Sequence, residues 1–145
     1  MLLAMILVGP RRFFVNYNDI YSHLRDLAEK TNRELYIFDD QNLPNFNETM
    51  ILFYHADVIM APHGAGLSNI MFSQPGATVI EVHCRGKKTS LCFRHMSLHL
   101  GMRYVAMETT RKRSSIRCND DGVIVDIAGL SEVLHALVMN VLSTD

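Results

Sequence analysis

The chain's 145 residues, 48% of them apolar or aromatic, can bury one ordinary hydrophobic core and are too few for two domains of normal size. A formal charge of -1 and a pI near 6.6 exclude a general electrostatic pull toward nucleic acid or an anionic membrane, so any anion site must be local. Cys84, Cys92 and Cys118 are sparse and odd in number, which excludes a disulfide framework and leaves open one bridge with one free thiol.

The chain opens on the apolar run Met1 to Val8, too short to span a bilayer and without a basic region before it or a small-residue cleavage site behind it. We read a buried first strand over Leu3 to Val8, with a degenerate signal sequence as the lesser alternative. A first helix follows from about Asp19 to Lys30, capped by Asn16 or Asn18, with Ile20, Leu24, Leu27 and Ala28 on one face. Glu34 to Phe38 reads as the second strand. The second helix, from about Glu48 to His55, starts behind Asn47 as its cap and turns Ile51 and Leu52 toward the sheet. Asn47-Glu48-Thr49 is also an N-glycosylation acceptor pattern, which matters only in a secreted or lumenal protein.

The third strand, Asp57 to Ala61, runs into the loop Pro62-His63-Gly64-Ala65-Gly66 and a third helix that carries Leu67, Ile70 and Met71 inward. Gln74-Pro75-Gly76 is a turn signal that returns the chain to a fourth strand, Thr78 to His83. A fourth helix, from about Thr89 to Leu100, leads through Gly101 into a fifth strand, Arg103 to Met107. Arg111-Lys112-Arg113-Ser114-Ser115 reads as a solvated basic loop, and a last amphipathic helix covers Leu130 to Leu142. Strand-length runs alternating with helical stretches predict one α/β domain, a Rossmann-like parallel sheet of about five strands with helices on both faces.

Chemistry concentrates at the loop 62–66. Gly64 and Gly66 permit positive φ and close backbone approach, and the helix behind them aims unpaired N–H groups and a positive dipole end at the same spot, which suits a phosphate. Ser68 and Asn69 add side-chain donors in the first turn, and His63 stands where its imidazole can donate to a phosphate or sugar, or shuttle a proton. On the residues alone, a plain turn and a structural histidine stay open. The loop is not the dinucleotide fingerprint, because position 69 is Asn and the loop follows the third strand. It is not a Walker loop, and without a Gly-x-Ser-x-Gly elbow Ser68 is a poor nucleophile. A competing constellation, Cys92, His95 and His99 with His83 and Cys84 nearby, has zinc-ligand residue types. Against it, His83 and Cys84 are neighbours that point apart on a strand, and Phe93, Met96 and Leu100 turn part of that helix to the sheet.

The segment Ala56-Asp57-Val58-Ile59-Met60-Ala61-Pro62-His63-Gly64-Ala65-Gly66-Leu67-Ser68-Asn69-Ile70-Met71-Phe72, followed by Pro75-Gly76-Ala77-Thr78-Val79-Ile80-Glu81-Val82, resembles glycosyltransferase family 61. That family includes EGF-domain O-linked N-acetylglucosamine transferases, O-mannose N-acetylglucosaminyltransferases and plant xylosyltransferases. Arg11-Arg12-Phe13-Phe14-Val15-Asn16-Tyr17-Asn18-Asp19-Ile20 is similar to its arginine-rich segment, and Asp121 to Leu142 to its closing strand-turn-helix. The resemblance implies one lobe of a GT-B fold, here the C-terminal donor-binding lobe, with an N-terminal lobe expected in a full-length parent. It implies inverting, metal-independent transfer from a UDP-sugar (UDP-GlcNAc or UDP-xylose type) to a protein or glycan hydroxyl. Neither nucleic acid nor membrane contact is expected of this domain.

Carried onto this sequence, His63, Gly64, Ala65, Gly66, Ser68 and Asn69 line the diphosphate, Arg12 neutralises it beside Asn16, and Glu81 accepts hydrogen bonds from ribose or sugar hydroxyls. His63 is the candidate catalytic residue. An arginine and a helix N-terminus do for departing UDP what a divalent ion otherwise does. The resemblance also implies the lumen of the endoplasmic reticulum or Golgi, with the cytoplasm as alternative. The other reading of function is a non-catalytic α/β interaction module derived from such an enzyme.

Overall fold

Apolar strand runs buried on both faces are the signature of a parallel sheet covered by helices, and the chain folds that way. The computed structural model describes residues 2–7, 13–39, 41–84, 90–110 and 122–142. Its strands β1 (Leu2–Leu7), β2 (Glu34–Asp39), β3 (Ala56–Pro62), β4 (Thr78–His83) and β5 (Arg103–Glu108) form one parallel sheet in the order β2-β1-β3-β4-β5. Every strand lies within one residue of its expected bounds. The helices are α1 (Tyr17–Lys30), α2 (Phe46–His55), a 3₁₀ helix (Ala65–Phe72), α3 (Cys92–His99) and α4 (Ile127–Leu142). None of them, among the described residues, is long and apolar enough to cross a membrane.

This order is the flavodoxin-like variant of the doubly wound sheet, and it reverses between β1 and β3. At such a reversal the connections leave toward opposite faces and open a crevice beyond the carboxyl ends of the strands, where ligands of this architecture bind. The loop that follows β3 borders that crevice.

Alternation along each strand divides the core in two. Val58, Met60, Ile80 and Val82 face one side and pack with Ile20, Leu24 and Ala28 of α1 and Leu130 and Leu134 of α4. Ile59, Ala61 and Val79 face the other and pack with Leu52 and Phe53 of α2, Leu67 and Ile70 of the 3₁₀ helix and Phe93 of α3.

Three expectations of detail are corrected. The second helix begins at Phe46 and is capped by Asn45, not Asn47. Asn45 Oδ1 accepts from the Glu48 N–H at 2.9 Å while Glu48 Oε2 accepts from the Asn45 N–H at 3.0 Å, a capping box in which each residue satisfies an orphan donor of the other. Its buried face is Thr49, Leu52 and Phe53, which leaves Ile51 60% exposed, a helical step away from the sheet. The segment after Gly66 winds as a 3₁₀ helix. Three residues per turn align Leu67 with Ile70 and swing Met71 out, 58% exposed.

The end of α3 shows how local sequence stops a helix. Gly101 takes φ +72, its N–H bonds back to Leu98 O at 3.2 Å, and the Met102 N–H reaches Ser97 O at 2.9 Å. This is a Schellman closure, for which glycine has the lowest conformational cost, and it feeds directly into β5.

Candidate acid-base and anion site

Pro62 has no N–H to extend a ladder, so β3 stops there and the chain turns at the carboxyl edge of the sheet. His63 makes one last sheet-like bond, from its N–H to Val82 O at 2.9 Å, and Gly64 O then accepts from the Leu67 N–H at 3.0 Å to start the 3₁₀ helix. Neither loop glycine has the expected positive φ. Gly64 sits at φ 175, extended backbone that any residue adopts, and the positive-φ glycines among the described residues are Gly76, Gly101 and Gly122. Gly64, Ala65 and Gly66 donate their N–H groups to no acceptor among the described residues, as the first turn of a helix requires. Of the two expected side-chain donors, Ser68 is exposed, and Asn69 turns its Nδ2 back onto Gly66 O at 3.1 Å, bracing the turn.

Beneath this loop lies a buried polar network that period-two alternation assembles. Ala61 is in register with Glu81, and Tyr104 of β5 with Val79, so His63, Glu81, His83 and Tyr104 share the α2–α3 face of the sheet. Glu81 has 0% exposure. A buried carboxylate without partners would cost several kcal/mol, and this one has partners on both oxygens. The His63 Nδ1–H donates to Oε1, and the Tyr104 hydroxyl donates to Oε2 at 2.5 Å. His83 Nε2 in turn lies 2.9 Å from the Tyr104 oxygen and 3.5 Å from Glu81 Oε2. Burial pushes the His83 imidazole below its ordinary range, which outweighs the pull of Glu81, and burial with the Glu81 carboxylate raises the Tyr104 phenol.

Both Glu81 oxygens are thus engaged within the fold, Oε1 by His63 and Oε2 by Tyr104. The His63 ring, 19% exposed, lies between His83 and Phe93, at centroid distances of 5.8 and 5.4 Å, with its Nδ1 turned inward to Glu81. Nε2 has no partner among the described residues and is the nitrogen left for a ligand. His63, Glu81 and His83 also form a trio of possible metal donors within 4.8 Å of one another.

Asn16 is likewise committed elsewhere. It is the N-cap residue of α1 but makes no side-chain cap bond. Its amide clamps the Val125 backbone instead, Nδ2 donating to Val125 O at 2.8 Å and Oδ1 accepting from the Val125 N–H at 3.0 Å. This is part of a strap in which Phe14 and Val123 form a parallel bridge and the Thr110 N–H donates to Ile124 O, tying residues 122–125 both to the end of β5 and to the residues that precede α1. Arg12, the basic loop 111–115 and Cys118 lie outside the described residues.

The zinc constellation does not assemble among the described residues. Cys84 is disulfide-bonded, Cys92 is free and exposed, His99 Nδ1 bonds to His95 O at 3.0 Å, and His83 belongs to the Glu81 network. Of the two described cysteines one is bridged and one is free, in line with the alternative left open by the cysteine count. Two grooves, of about 960 Å³ beside Arg33 and Tyr36 and about 410 Å³ between α1 and α4, lie away from the crevice.

The model of the family described as Glycosyltransferase 61 matches residues 7–80, just over half of the chain, from the end of β1 through the glycine loop to β4. The chain belongs to glycosyltransferase family 61. The matched segment contains His63 to Gly66, Ser68 and Asn69, while Glu81, His83 and Tyr104 follow it. No curated protein sequence matches the chain. Among solved structures it resembles a diflavin flavoprotein A3 from Nostoc sp., with TM-score 0.60 and 13% identity over 100% of this chain and 98% of that one. A mutant flavo di-iron protein from Thermotoga maritima gives TM-score 0.56 and 13% identity over 97% of this chain and 35% of that one. At that identity the likeness is one of fold, and it agrees with the flavodoxin-like strand order.

Proposed function

We propose that this domain binds the diphosphate of a UDP-sugar (UDP-GlcNAc or UDP-xylose type) in the crevice above β1 and β3, as the donor lobe of a GT-B enzyme. The reaction is inverting, metal-independent transfer to a protein or glycan hydroxyl. The observation that carries this reading is the His63–Glu81 pair beside three loop N–H groups that have no acceptor among the described residues, at the topological reversal of the sheet. The N–H groups of Gly64, Ala65 and Gly66 suit phosphate oxygens, and Arg12 of the loop after β1 would add a guanidinium. His63 keeps one proton on Nδ1 toward Glu81 and uses Nε2 toward the ligand. In its imidazolium form Nε2–H donates to the departing diphosphate as negative charge builds there, with Glu81 balancing the ring. No divalent ion is needed for that stabilisation.

The acceptor and the base that activates it belong to an N-terminal lobe in this reading. A bridged Cys84 supports a lumenal compartment, endoplasmic reticulum or Golgi, because disulfides persist where the environment is oxidising. Calorimetric titration with UDP, UDP-GlcNAc and UDP-xylose tests the proposal. Binding to the wild-type chain is expected, weakened roughly tenfold to a hundredfold by His63→Ala, the value of a hydrogen bond to a charged group, and weakened again by Arg12→Ala. Absence of heat with every UDP ligand sinks the reading.

A further inference from the structure

The dyad depends on which way one buried carboxylate is turned, and the residues that turn it come from a different strand. Glu81 has three side-chain torsions, so one bond from His63 would not by itself hold the orientation of its carboxylate. The Tyr104 hydroxyl adds the second restraint by donating from β5 to the other oxygen, Oε2, at 2.5 Å. A phenol has a single proton to give. What directs that proton to Glu81 is His83, whose Nε2 lies 2.9 Å from the Tyr104 oxygen. With the proton on Nε2, His83 donates to Tyr104 and Tyr104 donates to Glu81, and all three contacts are satisfied in one direction. With the proton on Nδ1 instead, Tyr104 would face two acceptors.

His83 Nδ1 is buried with no partner among the described residues, which argues for the same arrangement. A bare lone pair there is less costly than an N–H donor with nothing to bind. Around this chain of bonds, Arg94 and Cys92 of α3 act on Tyr104, and Glu108 of β5 acts on His83.

We propose that Tyr104 and His83 are positioning residues, which lock Glu81 so that the His63 proton stays on Nδ1 and Nε2 is the only ring nitrogen that exchanges a proton with a ligand. The proposal deepens the reading of His63 given above. Its test is independent of nucleotide: ring nitrogen spectra of the 15N-labelled chain in mildly alkaline buffer, where imidazoles are neutral and the tautomer is read from the two nitrogen shifts. Wild-type His63 is expected as a single Nδ1–H tautomer and His83 as Nε2–H.

Tyr104→Phe is expected to lose the single-tautomer signature at His63 and give a mixture. His83→Leu should shift His63 the same way, while His83→Gln, whose amide N–H can still donate to Tyr104, restores the wild-type pattern. If Tyr104→Phe loses its dispersed spectrum, the Leu and Gln pair at position 83 decides. A His63 signature unchanged in both Tyr104→Phe and His83→Leu overturns the proposal. Failure of the wild-type chain to bind UDP would sink the donor-lobe reading and leave the ring result standing.

Discussion

Ile80 and Val82 turn to one face of β4 and Glu81 and His83 to the other, and all four are buried. Among the described residues the first pair packs into the apolar cluster that α1 and α4 cover. The second pair spends its burial on hydrogen bonds that reach into the next strand and the loop above. Burial therefore does not separate structural from functional positions in this sheet. What separates them is whether a residue's neighbours supply volume or supply partners, because an apolar face tolerates any good packing whereas a buried carboxylate tolerates only a specific arrangement of donors.

The largest effect that can test this contrast lies on the apolar face. Ile80→Ala removes a fully buried branched side chain between α1 and α4 and should cost about 2–5 kcal/mol, read from urea unfolding of the chain. The folded fraction should keep wild-type UDP affinity and the wild-type His63 tautomer. Loss of either would show that the two faces are coupled.

Next in size is the strap that joins the apolar face to the crevice. Gly122 has φ +74, and a Cβ there would lie 2.8 Å from Phe13 Cε2 and 2.9 Å from Val15 Cγ2. Gly122→Ala combines an unfavourable backbone region with a clash and should cost about 1–3 kcal/mol in thermal or urea unfolding. Unlike Ile80→Ala it should also weaken UDP binding, because the displaced residues belong to the loop after β1. A variant as stable as wild type would mean that the strap yields easily and does not set the crevice.

The periodicities that divide the faces were readable in the sequence, which is why all five strands fall within one residue of expectation. Glycine at 101 and the turn at 74–76 were equally plain. Less legible was whatever depends on winding or on partners distant in the chain. Three-residue winding after Gly66 reversed Met71, and a cap two residues earlier than Asn47 moved the entry of α2. The site shows the same division. His63 was visible beside its glycines, and Glu81 was visible as an acid inside an apolar run, but its true neighbour in register could be known only once β3 and β4 were paired. Tyr104 was missed altogether, since which residue of β5 comes to lie beside Glu81 is set by the β4–β5 register. The spacing of residues 59, 61 and 63 against 79, 81 and 83 is the signal that could have placed His63 and Glu81 together.

The smallest expected effect concerns pH and probes the polar face alone. Burial holds the His83 imidazole below its ordinary value in the folded chain, against the opposing pull of Glu81 and Glu108. In the unfolded chain the same group titrates near about 6.5. Below that pH the unfolded state binds a proton that the folded state refuses, so stability falls as the pH drops from about 6.5 through the lowered folded value, and is intact above it. His83→Gln removes this titration while keeping a donor to Tyr104. The difference in unfolding free energy between wild type and variant should therefore be constant above neutrality and should move against the wild type in acid. A difference that stays flat into acid would mean that His83 is free to protonate in place. It could then no longer be the group that directs the Tyr104 proton to Glu81, and the polar face would owe its order to His63 alone.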